Sequence, residues 1–314
     1  MKEDVLAILK ESQSHVSGEK MSEQLACSRT AIWKAISQLK KEGYPIEAQR
    51  NLGYKLTDFD LLNERELALI APEYKIHYIE QTGSTQQVAM QLLADGADTN
   101  TVVVAGTQTS GRGRLGRVWQ SEKYTTVSMS MIIKPTITLQ HAPKLTLVAA
   151  VAVARALSKY ADVSIKWPND ILINGKKVCG ILTELQADPD RIKAVIIGIG
   201  INVNNAVFDE SLEDRATSLA QEAKQSIPRV NVIERVLTEW TQMYALFESD
   251  GFTVLKPLWE AYATSIGATI RVRSEQETLV CTLLGITDDG YLRVQREGGE
   301  ETLIISGDID LVSS

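Results

Sequence analysis

Three glycines and three arginines alternate within residues 111–117, and this segment limits which fold the chain can adopt. The glycine spacing matches the fingerprint of dinucleotide-binding folds, which requires a strand before the glycines and a helix after them. A β-branched apolar run, 101–105, does precede them, but residues 118–133 alternate in the manner of a strand. We therefore predict that this segment is not a Rossmann turn.

The composition of the segment still indicates an anion-binding loop. Glycine lets backbone amides approach an anion closely, and the forked guanidinium group of arginine pairs with phosphate or carboxylate. Like charges in a flexible loop repel one another, so we expect this loop to be mobile when empty and ordered around its ligand. The alternative is a surface loop that is merely basic.

The bulk composition is that of a globular protein with room for two or three domains in 314 residues. A formal net charge of −7 argues against a protein that coats nucleic acid over its whole surface. Cys27, Cys179 and Cys281 lack zinc-site spacing and read as reduced thiols. Because the sequence shows neither an apolar signal region nor a membrane span, we expect a cytoplasmic protein without a membrane partner.

The first 62 residues have the order of a winged helix-turn-helix domain: helix, helix, tight turn, helix and hairpin. A short helix fits 19–25, and Ser28 is placed to cap a longer helix over 29–41. Two short strands around a turn are indicated within 46–56. The expected inward stripe of the longer helix is Ile32, Ile36 and Leu39.

This N-terminal region also carries a local positive charge. Residues 28–56 contain six basic and two acidic side chains, a net charge of +4 within an acidic chain. Phosphate contacts require such a patch, although a solvated helix face is the alternative. The DNA-binding residues that we predict are Ser28, Arg29, Thr30, Lys34, Arg50 and Lys55.

The remaining chain divides into a large and a small part, which makes the fold class α+β. Residues 63–263 alternate strand-like and helix-like stretches, typical of a mixed α/β domain. Residues 264–314 contain short β-patterned runs separated by glycine-rich turns, which predict a small SH3-like β-barrel. These runs are 269–273, 278–286, 291–295 and 301–305.

An Asn-Gly pair between two apolar runs predicts a type I′ hairpin that carries Lys177. Alternation then places Lys177 and Asp170 on one face as diagonal neighbours, beside apolar groups, which suits a binding site. A surface hairpin with a solvated lysine is the alternative. The predicted pairs are Ile173 with Lys176, Leu172 with Lys177, Ile171 with Val178, and Asp170 with Cys179.

Two further segments have a structural and a functional interpretation. Residues 198–204 form an apolar strand whose glycines allow either a ligand or a tightly packed neighbour to approach the backbone. Ser84 and Thr85 precede a helical run, 86–93, where a hydroxyl group either caps the helix or bonds a ligand.

Four motifs in this order resemble the biotin–protein ligases: the loop 111–117 with Trp119, Lys-Trp-Pro-Asn-Asp at 166–170, Lys177, and the strand 198–204. The resemblance covers essentially the whole chain. With a winged helix in front, the chain is similar to the bifunctional bacterial members, the biotin operon repressors.

The resemblance implies a reaction and its partners. Biotin and ATP, with Mg²⁺, would give biotinyl-5′-AMP and pyrophosphate, and the acyl group would pass to a lysine of a biotin carboxyl carrier domain. The adenylate would also promote homodimerisation and binding to operator DNA. No metal ligand is assigned to the protein.

The resemblance also implies site residues. The catalytic cations would be Lys177, Arg112 and Arg114. The residues of the biotin site would be Ser84, Thr85, Gln86, Gln108, Arg112, Gly113, Arg114 and Lys177. The residues of the nucleotide site would be Arg117, Trp119, Asn169 and Asn202.

Two positions depart from the family pattern. Gln86 stands where many relatives have asparagine, and Leu115 replaces an arginine that some members carry. Two other functions stay open at this point: a biotin-sensing transcription factor without ligase activity, and a lipoate-type ligase with a related fold.

Overall fold

The computed structural model describes residues 1–12, 14–57, 60, 62–189, 191–263, 265–274 and 277–312. The chain divides into two compact units, Met1–Glu66 and Leu67–Ser314. The predicted domain boundaries at 62 and 263 stay predictions. Within the described ranges, no helix has the length and apolarity needed to cross a bilayer.

The first unit has the predicted winged helix-turn-helix order. Its two strands pair antiparallel, with Ile46 opposite Leu56 and Gln49 opposite Gly53. A further helix, α4, starts at Glu64 and continues to Ile70. The elements before it are α1 (Lys2–Glu11), α2 (Gly18–Gln24), α3 (Arg29–Lys41), β1 (Ile46–Gln49) and β2 (Gly53–Leu56).

Helix α3 begins where the sequence predicts, because Ser28 satisfies one of its free N-terminal amides. The Ser28 hydroxyl accepts a hydrogen bond from the Ala31 amide at 3.2 Å. The predicted inward stripe is confirmed, since Ile32, Ile36 and Leu39 are all buried in the core of this unit. The opposite side of the helix remains open to solvent.

The second unit is built on a seven-stranded sheet in the order β3-β4-β7-β11-β10-β9-β8. Only β3 and β4 are parallel, so the sheet is mixed and the α+β class is confirmed. Its strands are β3 (Lys75–Thr82), β4 (Thr101–Gln108), β7 (Thr126–Ile133), β8 (Ser164–Lys166), β9 (Asp170–Ile173), β10 (Lys176–Ala187) and β11 (Ile192–Asn202). The two-residue strands β5 (Gly111–Arg112) and β6 (Val118–Trp119) form a separate ribbon.

Helices cover this sheet where its side chains are apolar. Helix α6 (Lys144–Leu157) is buried almost throughout, with only Thr146 and Arg155 partly accessible. Helix α8 (Arg229–Asp250) carries an apolar stripe that is buried except for the half-buried Tyr244. The buried members are Ile233, Val236, Leu237, Trp240, Met243 and Phe247. The helices of this unit after α4 are α5 (Thr85–Ala94), α6 (Lys144–Leu157), α7 (Leu219–Ala223), α8 (Arg229–Asp250) and α9 (Lys256–Tyr262).

On one face of β11, the size of the side chains determines where helix α5 packs on the sheet and where a cavity is left. Successive side chains alternate between faces, so residues 194, 196, 198, 200 and 202 share one. Ala194 and Ile196 pack in the same cluster as Ala89 of α5. Gly198, Gly200 and Asn202 continue on that face and line a cavity.

The C-terminal region is a five-stranded antiparallel sheet in the order β15-β14-β13-β12-β16. Four strands agree with the predicted runs to within one residue at each end. The fifth, β16, was not predicted, and closure into an SH3-like barrel stays a prediction. The strands are β12 (Thr269–Arg273), β13 (Thr278–Ile286), β14 (Leu292–Arg296), β15 (Glu301–Ile304) and β16 (Asp308–Leu311).

Replacing Leu39 with alanine tests the core of the first unit. Leu39 is fully buried, so the cavity left by Leu39→Ala should lower the free energy of unfolding of this unit by about 2–5 kcal/mol. Gln38→Ala, on the exposed side of the same helix, should change it by less than about 0.5 kcal/mol. Urea unfolding followed by circular dichroism and by amide exchange of α3 gives both values. Equal effects of the two substitutions would contradict this packing.

Candidate functional site

A cavity of about 1320 Å³ opens on the second unit. Its walls come from the loop between β5 and β6, the β9–β10 hairpin, the open end of β11 and strand β16. All twelve residues that the sequence assigns to the biotin and nucleotide sites line this single cavity. They are Ser84, Thr85, Gln86, Gln108, Arg112, Gly113, Arg114, Arg117, Trp119, Asn169, Lys177 and Asn202.

The glycine-arginine loop is a short ribbon closed by one turn of 3₁₀ helix, Arg114–Gly116. Gly111 pairs with Trp119 across the ribbon, and the Gly113 amide donates to the Arg117 carbonyl at 2.7 Å. No α-helix follows the glycines before the strand β7, so the rejection of a Rossmann turn is confirmed. Leu115, one of the departures from the family pattern, has φ +56° and is 74% exposed.

Each arginine of the loop is held by protein acceptors. Arg112 pairs with Glu184 at 3.2 Å. Arg114 contacts the Asp308 carboxylate at 3.3 Å and donates to the Asn169 side-chain oxygen at 3.1 Å. Arg117 pairs with the same carboxylate. These contacts bridge the like charges, and the mobility of the empty loop stays a prediction.

Strand β16 places a second carboxylate, Asp310, at the rim of the cavity. Lys166 lies 3.1 Å from it, and Arg273 pairs with it as well. Burial raises the pKa of Asp310, but the hydrogen bond and charge of Lys166, together with the charge of Arg273, outweigh this and hold the pKa below its usual value. Sequence reasoning missed both aspartates, although the alternating residues of 308–311 carried a strand signal.

The β9–β10 hairpin confirms the predicted turn but corrects half of the predicted register. Asn174 and Gly175 both have positive φ, 50° and 77°, as a type I′ turn requires. Ile173 pairs with Lys176 and Leu172 with Lys177, as predicted. The predicted pairs of Ile171 with Val178 and of Asp170 with Cys179 are wrong. Ile171 faces Cys179 and Asp170 faces Gly180, because a β-bulge shifts the register after Lys177.

The predicted proximity of Lys177 and Asp170 is confirmed despite the shifted register. The Lys177 ammonium nitrogen lies 2.7 Å from an Asp170 carboxylate oxygen, and both side chains are partly exposed. The bulge turns Val178 and Cys179 inward together, and both are buried. Burial raises the pKa of the Cys179 thiol, although the charge of Lys177 lowers it in part. The thiol is therefore protonated at neutral pH and does not provide a nucleophile.

The glycines of β11 and β10 accommodate an aromatic side chain. A Cβ atom on Gly200 would lie 2.5 Å from Cε2 of the Trp119 indole, and one on Gly180 would lie 3.1 Å from Cζ3 of the same ring. The Lys177 ammonium lies 5.6 Å from the ring centroid. The indole therefore packs on the bare backbone of β10 and β11, beside Lys177.

The start of α5 forms a polar end to the cavity. Ser84 occupies the N-cap position, but its side chain makes no capping hydrogen bond. Gln108 caps the helix instead, because its side-chain oxygen accepts from the Thr85 amide at 2.7 Å and the Thr85 hydroxyl at 3.1 Å. Ser130, which the sequence analysis did not single out, donates its hydroxyl to Thr85 at 2.8 Å.

Three buried amide side chains fix the backbone around the cavity. Gln86 donates to the carbonyls of Ile196 at 3.2 Å and Leu182 at 3.4 Å, while its own side-chain oxygen is buried without a partner. Asn169 donates to the Ile181 carbonyl at 2.8 Å. Asn202 donates to the Thr217 carbonyl at 3.1 Å.

The predicted DNA-binding residues lie in the first unit, on α3 and the β1–β2 hairpin. Ser28 caps α3 and Arg29 pairs with Glu19 of α2. The remaining predicted residues of this surface are the exposed Thr30, Lys34 and Arg50 and the half-buried Lys55.

Comparison with known proteins matches three segments of the chain to family models. Residues 78–202 match the biotin/lipoate A/B protein ligase family, residues 2–55 an HTH domain, and residues 265–312 the biotin protein ligase C-terminal domain. The bifunctional ligase/repressor BirA of Bacillus subtilis is 44% identical, over 99% of this chain and 98% of that protein. The chain belongs to the biotin–protein ligase family, in its bifunctional ligase/repressor form.

Other relatives are more distant in sequence, and a solved structure of one of them has a similar fold. The bifunctional ligase/repressor BirA of Escherichia coli is 28% identical, over 94% of this chain and 92% of that protein. The solved biotin protein ligase from Aquifex aeolicus in complex with biotin and ATP is 30% identical, with a TM-score of 0.67. It covers 76% of this chain and 99% of its own.

The packing of Trp119 on this ligase's sheet leads to a test by double substitution. Gly200→Ala should push the indole off β11 and lower the free energy of unfolding by about 1–3 kcal/mol through overpacking. In a Trp119→Ala background the added methyl group meets no indole, so the same substitution should cost much less. Gly18→Ala, whose Cβ would make an ordinary 3.7 Å contact, is the matched control. An equal cost of Gly200→Ala in both backgrounds would exclude this contact.

Proposed function

We propose that this chain is an ATP-dependent biotin–protein ligase that also acts as a biotin-responsive repressor of transcription. One observation carries the ligase half. A single cavity brings Arg112, Arg114 and Lys177 together with a polar end formed at the start of α5. This is the arrangement needed to hold two anionic groups side by side while a neutral head group is bound further in.

The proposed reaction has two displacement steps. A carboxylate oxygen of biotin attacks the α-phosphorus of ATP, and the bond from that phosphorus to the oxygen of the β-phosphate breaks. The products are biotinyl-5′-AMP and pyrophosphate. The amine of a carrier-domain lysine then attacks the acyl carbon of the adenylate, AMP leaves with the bonding electrons, and the nitrogen loses a proton as the amide forms. The first step joins two anions, so it requires preorganised positive charge.

We assign that charge to three side chains. Lys177 holds the reacting carboxylate and the α-phosphate, and Asp170 positions its ammonium group through the 2.7 Å contact. Arg112 and Arg114 exchange their carboxylate partners, Glu184 and Asp308, for the anions of the ligand. Bidentate pairing of a guanidinium group with phosphate provides the driving force.

The rest of the cavity would bind the two non-reacting ends of the adenylate. The cyclic urea of biotin offers two N–H donors and one carbonyl acceptor, which the hydroxyl and amide groups at the start of α5 complement. The proposed biotin residues are Ser84, Thr85, Gln86, Gln108, Arg112, Gly113, Arg114 and Lys177. The proposed nucleotide residues are Arg117, Trp119, Asn169 and Asn202, with the indole as a flat surface for the base.

Mg²⁺ would enter with ATP, as part of the substrate. This ion keeps several waters and binds mainly through the phosphates of a nucleotide, with one or two carboxylates from a protein. Among the described residues, no cluster of three or more His, Cys, Asp or Glu side chains could form a protein cage for a metal. Asp170 and Asp308, which both line the cavity, are the candidates for a single carboxylate contact.

The repressor half rests on the winged helix-turn-helix unit and its local charge. We propose that biotinyl-5′-AMP promotes homodimerisation, and that the dimer binds an operator with two half-sites. Ser28, Arg29, Thr30, Lys34, Arg50 and Lys55 would contact this DNA. Cytoplasmic location is part of the same proposal, because both ATP and the operator are found there.

Lys177→Met tests the ligase assignment against a neighbouring lysine. Loss of the ammonium group should slow adenylate formation at least about 100-fold, while the fold is retained. Lys176→Met should leave the rate unchanged, because that side chain bonds the Glu213 carbonyl and is not part of the cavity wall. The assay follows pyrophosphate release and label transfer from biotin to a carrier domain in the presence of ATP and Mg²⁺.

Three results would contradict the proposal. A normal adenylation rate in Lys177→Met would remove Lys177 from the reaction. Biotin binding by the unaltered protein without any label transfer would leave a biotin-sensing transcription factor. Transfer of lipoate in preference to biotin would instead indicate a lipoate-type ligase.

Arg50→Ala tests the repressor assignment through the salt dependence of DNA binding. With biotin and ATP present, this substitution should weaken binding and lower the slope of log K against log salt by about 1, while ligation stays normal. Arg293→Ala removes an arginine of the C-terminal sheet that pairs with Glu301, and it should change neither property. Fluorescence anisotropy at several salt concentrations gives the slope, and sedimentation of the same samples gives the proportion of dimer. An unchanged slope would exclude Arg50 from the interface.

A further inference from the structure

Trp33 is a large apolar side chain on a surface otherwise suited to an anion. Its side chain is 58% exposed, although α3 buries Ile32, Ile36 and Leu39 completely on its other side. Among the described residues, no aromatic or cation–π contact involves the Trp33 ring. Neither packing in the hydrophobic core nor a cation–π contact therefore explains why a tryptophan stands at this exposed position.

The position of Trp33 on α3 points to a ligand. It lies three and four residues after Thr30 and Arg29, which places the three side chains next to each other on the helix surface. Thr30, three residues before Trp33, and Lys34, directly after it, are both exposed. All four belong to the N-terminal half of the helix. In a helix-turn-helix motif the second helix of the motif, here α3, enters the major groove, and its N-terminal residues face the base edges.

The charge around Trp33 favours DNA over a second copy of the chain. Residues 28–56 carry a net charge of +4. An isologous contact would bring this patch against itself, and like charges in one interface disfavour association. A duplex brings phosphates to the same cations and an apolar group, the thymine 5-methyl, to the floor of the groove.

We infer that Trp33 reads thymine in the operator by packing its indole against the 5-methyl group in the major groove. This inference rests on the proposed repressor function. Residues of this surface would then have two different roles. Lys34 and Arg50 would contact phosphates, and such contacts do not distinguish one base sequence from another. Trp33 would supply sequence discrimination without adding charge.

The thymine methyl group can be removed without altering the protein, and this gives the decisive test. The preferred duplex is first selected from random sequences with the full-length protein, biotin and ATP. Thymines of that duplex are then replaced one at a time by deoxyuridine. The unaltered protein should bind about tenfold more weakly at the thymine that Trp33 contacts, because one methyl group is lost from an apolar contact.

Trp33→Ala should lower the affinity for the thymine duplex by about the same tenfold. The variant should bind the thymine and deoxyuridine duplexes equally well, because the side chain that contacts the methyl group is gone. Its salt slope should be unchanged, because no charge is removed. Lys34→Ala is the matched control from the next position. It should bind every duplex more weakly with a slope lower by about 1, yet keep the full preference for thymine.

Three outcomes would overturn the inference, and each is distinguishable. Unchanged affinity in Trp33→Ala, or the same thymine preference as the unaltered protein, would remove Trp33 from base readout. An altered proportion of dimer in sedimentation, with thymine preference intact, would make Trp33 a protein contact. Failure of the unaltered protein to select any duplex would refute the repressor function itself, whereas label transfer to a carrier domain would remain.

Discussion

The cavity of this ligase depends on the pairing of its cations with carboxylates from distant segments. Arg112, Arg114, Arg117, Lys166 and Lys177 all line one space, and like charges so close together repel. Glu184, Asp170, Asp308 and Asp310 each pair with one or two of them. The fold thereby stabilises a concentration of positive charge within one cavity.

The uncharged parts of the site follow from residue size along the strands. Ala194 and Ile196 fit beneath α5, whereas the glycines that follow them on β11 leave room for the Trp119 indole. The bulge beside Lys177 turns Val178 and Cys179 into the core and leaves the ammonium group at the cavity. The glycines of β11 and one extra residue in β10 thus place an aromatic ring and a cation next to each other in the cavity, with the ammonium 5.6 Å from the ring centroid.

The sequence predicted those features that local chemistry determines. The Ser28 cap, the Asn174-Gly175 turn and the rejection of a Rossmann turn each depend on a few adjacent residues, and the structure confirms them. The bulge after Lys177 was missed because an ideal hairpin register gives no sign of an extra residue. The part of Asp308 was missed for a different reason: its partners are distant in sequence, and no local pattern records such a contact.

The contact between Arg114 and Asp308 joins positions 194 residues apart, which has a consequence for how the protein reaches its active form. Closing so long a loop costs conformational entropy that must be spent before the contact contributes any stability. Contacts of this kind slow folding and form after the local hairpins and helices. Arg114 and Arg117 therefore gain their carboxylate partner late, when the central and C-terminal sheets have both assembled. A proteolytic fragment that ends before β16 would keep every arginine of the loop and the Arg112 partner Glu184, but Arg114 and Arg117 would lack Asp308.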